Sequence, residues 1–102
     1  MRTRVLDESN DDAFLLQLRI PDLPRYQRFG AAYRAALRRI RADPLTLPRH
    51  HATTGAEVRY HRLPGFPYVV LFTTADPAEA VVFAVVHESA GPARLGETER
   101  RV

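Results

Sequence analysis

The 102-residue chain predicts an α+β domain, an N-terminal helical hairpin packed on one face of a small, mainly antiparallel β-sheet. Three observations lead there. Apolar residues recur at helical spacing as far as Ile40. From Glu57 onward the period shortens to that of strands. Between the two lies a stretch broken by Asp43-Pro44 and Pro48.

The elements follow in order. Thr3 to Leu6 reads as a short opening strand with Val5 facing inward. Ser9-Asn10-Asp11-Asp12 has the form of a helix start, with Ser9 as cap and acids where the helix dipole favours them. Phe14, Leu15 and Leu18 would form the buried stripe of that helix. The prolines of Ile20-Pro21-Asp22-Leu23-Pro24 end it. A longer helix over 24–42 buries Tyr26, Phe29, Tyr33, Leu37 and Ile40, recurring three and four apart. Arg34, Arg38 and Arg41 share another of its faces. Strands are expected over 57–63, 66–73 and 80–88, with the last apolar on both sides and therefore central. Pro67 belongs at a strand's beginning, where no ladder amide is needed. Residues 93–102 read as a charged tail on a single domain spanning 1–102.

Composition narrows the function classes. With 45% hydrophobic and 26% charged residues the chain is ordinary for a globular protein. Its longest apolar run, Ala80 to Val86, is far shorter than the ~20 residues a membrane helix needs. The start, MRTRVLDESNDD, is acidic where a secretory signal would be apolar, so a cytoplasmic protein without membrane attachment is expected. The absence of cysteine removes disulfides, thiolate catalysis and cysteine-ligated zinc. All fifteen basic residues are arginine. Ten of them stand against three acids in residues 19–62, a local net charge of +7, whereas both flanking segments are acidic. Such a concentration favours a polyanion or an acidic protein partner.

Several side chains could carry chemistry. Metal-free RNA cleavage needs a base, an acid and cations at the phosphorus. His87, at the end of the central strand and in alternation with Val81, Phe83 and Val85, is the first candidate for proton transfer. His61 alternates with Arg59 on one strand face and is the second. Arg49, Arg59, Arg62 and Tyr68 are candidates for contact with nucleic acid or another target, with Tyr68 and Tyr60 able to stack on bases. Arg59 and Arg62 point to opposite faces unless a bulge intervenes. Arg34, Arg38 and Arg41 could dock an acidic partner segment. The adjacent His50-His51 lacks a second ligand pair, so neither zinc nor any cofactor is expected. Glycine-rich phosphate loops and nucleophile elbows are absent from the sequence.

The strand, helical hairpin and three-stranded meander, together with particular landmarks, resemble the RelE/ParE superfamily of bacterial toxins. The landmarks are Phe29 through Ile40, Asp43-Pro44-Leu45, Arg59 and Arg62 before Phe66-Pro67-Tyr68-Val69-Val70, then Val81 to His87 and Pro92. The resemblance covers residues 3 to 92. It implies the toxin half of a type II toxin–antitoxin module of the plasmid-stabilisation kind, neutralised by a cognate antitoxin. Members act either by binding DNA gyrase or by cutting mRNA on the ribosome. Thr73, Ser89 and Ala90 stand where nuclease members commonly carry arginine. The binding mode is therefore the first expectation. Ribosome-dependent cleavage is the alternative, and a non-toxic remnant with a partner-binding role is third.

Overall fold

The computed structural model describes residues 1–53 and 57–102. The chain runs β1 (Arg2–Val5), α1 (Asp7–Leu18), α2 (Leu23–Ala42), a 3-10 turn (Pro44–Thr46), β2 (Val58–Arg62), β3 (Tyr68–Asp76), β4 (Glu79–His87) and α3 (Pro92–Glu99). The α+β class holds, but the helical hairpin does not open the chain, because β1 precedes it. The strands form one mixed sheet in the order β1-β4-β3-β2. Among the described residues, only the β1–β4 pair is parallel.

α2 forms where its apolar period predicts. Asp22 caps it by accepting a hydrogen bond from the Arg25 N–H at 3.0 Å. Phe29, Tyr33, Ala36 and Ile40 are its buried face, while Leu37 and Tyr26 are only half-buried. Pro44, starting the 3-10 turn, stops the helix. The two helices run antiparallel. Ser9 and Asn10 near the start of α1 meet the Tyr33 hydroxyl, and Gln17 near its end donates to the Tyr26 carbonyl. A Cβ at Gly30 would lie 2.9 Å from Gln17 Nε2, so the end of that side chain would have to shift.

α1 itself faces the opposite way from the expectation. Ser9 is not its cap: the helix begins at Asp7, and Ser9 lies inside it, buried. Ser9, Asp12 and Ala13 face inward, whereas Phe14, Leu15 and Leu18 are each more than half exposed. Buried polar groups are tolerable when each finds a partner. Here Ser9 has the Tyr33 hydroxyl and Asp12 has the Val85 N–H.

β4 is buried along nearly its whole length on both sides, as a central strand should be. On the hairpin side Val70, Phe72, Val82 and Val85 pack with Phe29, Tyr33 and Ile40. On the other side Val69, Leu71, Phe83 and Val86 pack with Leu95 of α3. The pairing shifts between Leu71 and Phe72, whose partners are Ala84 and Val82, so Phe83 is the extra residue of a β-bulge. Phe83 and Ala84 consequently share one side.

The C-terminal segment is another correction. Instead of an unpatterned tail, Pro92–Glu99 is a helix that buries Leu95 and Thr98 against the second sheet face. Eight residues with one large apolar position give no period to recognise. Long-range ion pairs described below hold the segment.

Candidate functional site

β1 is four residues long and accompanies β4 only as far as Val82. The last five residues of β4 would therefore present an unpaired edge, with backbone groups needing partners. The backbone Leu6 N–H extends the β1 pairing to the Val82 carbonyl at 2.9 Å, and side chains supply partners beyond it. Asp12 accepts from the Val85 N–H at 3.1 Å, and Arg101 donates to the Phe83 carbonyl at 3.0 Å. Arg101 also donates to Asp12 at 2.7 Å, and Arg94 reaches the same carboxylate at 3.4 Å. A carboxylate this buried needs such compensation. The hydrogen bond to Asp12 pushes the Arg101 pKa further up. The ion pairs thus tie α3 to α1 across the strand edge.

Above this seam, α1, the end of β4 and the start of α3 enclose a cleft of about 440 Å³. Its walls include Asp12, Leu15, Leu16, Arg19, Tyr68, His87, Ala90 and Arg94. Arg19 is exposed and makes no ion pair among the described residues. The bulge decides that His87 is here. With two consecutive residues on one side, His87 falls on the hairpin face with Val85 and is separated from Phe83, contrary to the simple alternation. It lies opposite Tyr68 across the β3–β4 ladder, with ring centroids 5.6 Å apart and edge to face. The Tyr68 ring also meets Phe29 edge to face, with centroids 6.1 Å apart.

The protonation of His87 follows from its neighbour. Its Nδ1 accepts the Ser89 N–H at 3.0 Å. In the neutral ring the proton is therefore on Nε2, an assignment from the hydrogen bond. The exposed imidazole offers a donor. Acting as a base would require another tautomer and the loss of the Ser89 contact.

The remaining candidates do not join this cleft. His61 is half-buried on β2 opposite Val70, and its Nδ1 is buried without a hydrogen-bond partner. The Arg59 guanidinium bonds the carbonyls of Leu45 and Leu47 and the Thr74 hydroxyl, clamping the segment after α2 onto the sheet. Those contacts engage Nε and Nη1 of the guanidinium. Arg62 sits toward the same end of the sheet as His87 but on the α3 side, paired with Glu88. Arg49 is exposed and bridges Arg59 through the backbone. Arg34, Arg38 and Arg41 are all exposed and make no ion pair among the described residues. His50 packs edge to face on Tyr60 at 5.5 Å, and burial, reinforced by the neighbouring His51 charge, lowers its pKa. No group of three or more potential metal ligands occurs among the described residues.

Sequence reasoning did not single out Arg19, Asp12, Arg94 or Arg101. Asp12 resembled a first-turn acid, and only its place opposite a bare strand edge gives it a second role. No family model matches the sequence, and no curated protein matches it. Among the described residues, no helix is long and apolar enough to cross a membrane.

Proposed function

We propose that this chain is the toxin half of a RelE/ParE-like toxin–antitoxin module, acting by docking on its target, of the gyrase-binding kind, rather than by cutting RNA. The sequence landmarks support the family reading, and so does the strand, helical hairpin and meander order. The observation that carries docking over cleavage is the Ser89 N–H on His87 Nδ1, which leaves that imidazole as a donor only, while His61, the other candidate base, stands away on β2 opposite Val70. Nor do Arg59 and Arg62 gather around His87. The free Arg34, Arg38 and Arg41 face offers an acidic antitoxin segment uncommitted cations, with charge hastening encounter more than setting affinity.

One observation favours the nuclease reading as second. Arg19 and Arg94 bring two guanidiniums to the His87 cleft, though Arg94 is shared with Asp12 and Glu97. They could supply part of what Thr73, Ser89 and Ala90 do not. Induced expression of the chain, with gyrase supercoiling measured on the purified protein, tests the first reading. Growth arrest with blocked supercoiling, relieved by co-expressing the protein encoded beside it, is expected. Unaffected growth and supercoiling would overturn it.

A further inference from the structure

We propose that the outward face of α1 is a homodimer interface, on which a second copy of this chain lays its own α1 antiparallel. The inference rests on the α1 surface, at whose edge Leu15 and Arg19 also wall the His87 cleft, and it uses no part of the toxin reading. At 100° per residue, Phe14, Leu18, Asp11 and Leu15 fall within roughly 100° of arc, opposite the buried Ser9 and Ala13. Phe14, Leu15 and Leu18 are 54%, 57% and 56% exposed, three large apolar side chains in one run, of which Leu15 also borders the His87 cleft. Contiguous apolar surface of this kind marks an interaction site more often than scattered exposed leucines do.

The charges say what covers it. Acids occupy the start of the face, at Asp7, Glu8 and Asp11, and the last turn holds no base. Arg19 follows directly after the helix. Asp11 and Arg19 each stand four residues, about one turn, from Leu15. A twofold axis at Leu15 therefore brings Asp11 of each copy against Arg19 of the other, with Leu15 and Leu18 between. Neither Asp11 nor Arg19 has an ion-pair partner among the described residues. The antiparallel arrangement also opposes the helix dipoles, whereas a parallel one would set acid against acid. The face is complementary to itself, which is the requirement of an isologous contact.

Sedimentation of the full-length chain tests this over concentrations from about 1 to about 100 μM, the range of a moderate self-affinity. A monomer–dimer equilibrium is expected. Asp11→Arg or Arg19→Asp alone should raise the dimer dissociation constant at least about tenfold, since each sets like charges together twice across the axis. The combined variant, Asp11→Arg with Arg19→Asp, should return it to near the wild-type value. All these side chains are exposed, and thermal melts of each variant report whether the fold is kept. Leu15→Asp, at the axis, should abolish the dimer. A chain that stays monomeric throughout would overturn the proposal and leave the face to a different partner. So would a combined variant no tighter than the single ones, or a dimer indifferent to Leu15→Asp.

Discussion

α1 and α2 form one hairpin over one sheet face, yet they bury opposite kinds of surface. α2 turns Phe29 and Ile40 inward and its arginines outward. α1 turns a serine and an aspartate inward and leaves Phe14, Leu15 and Leu18 outside. The difference comes from what each helix lies on. α2 crosses the sheet and packs on Val70, Phe72, Val82 and Val85 of the inner strands β3 and β4, where apolar area is what is left to bury. α1 lies along the end of β4 that β1 does not reach, where backbone donors and acceptors lack partners. There a carboxylate does what a leucine cannot. Burial follows the needs of the surface underneath, and hydrophobic pattern predicts it only where those needs are apolar.

Truncation should separate the two helices. Phe29→Ala in α2 removes a side chain only 1% exposed, and its cost in denaturant unfolding should be about 3–5 kcal/mol. In α1 the sensitive position is polar. Asp12→Ala strands the Val85 N–H and uncouples Arg101 and Arg94, and should cost about 3 kcal/mol. That is the low end for breaking a buried pair, because Arg101 remains 19% exposed and can turn to water. Equal melting of the variant and wild type would remove the strand-edge explanation of α1.

The apolar residues of α1 should behave in reverse. Leu18→Ser, measured where the chain is dilute, should change stability by less than about 0.5 kcal/mol, as exposed substitutions do. A loss of several times that would mean α1 buries its apolar stripe after all.

α2 and the three meander strands were legible because their pattern is local: an apolar period of three and four, then of two, with prolines between the elements. The face of α1 was not, because the contact that sets it joins Asp12 to Arg101, 89 residues apart. The bulge at Phe83 was invisible for a related reason. Alternation through an apolar strand looks the same with or without an extra residue, yet the extra residue chooses the side on which His87 emerges. α3 offered one apolar position and no period. The candidate site was thus legible at His87 and Tyr68, and lost at every residue that reaches it from the chain's two ends.

The smallest expected effect lies away from the hairpin, at His50. Burial lowers its folded-state pKa, so the unfolded chain takes up the proton first as the pH falls. Stability should therefore decline modestly as the pH drops below ~6.5, the ordinary histidine value. His50→Gln should flatten that part of the profile in chemical unfolding at a series of pH values. An unchanged slope would place the pH dependence elsewhere.

The central functional claim is that the chain acts by docking and does not cut RNA at the His87 cleft. Mapping mRNA ends in a translating ribosome extract, with the wild-type chain and with His87→Ala, tests it most directly. With His87 held as a donor by Ser89 and His61 away on β2, no chain-dependent cleavage is expected from either protein, and growth inhibition should persist in His87→Ala. Efficient cleavage by the wild type, reduced about 10²–10⁴-fold by His87→Ala as for a proton-transfer group, would contradict it.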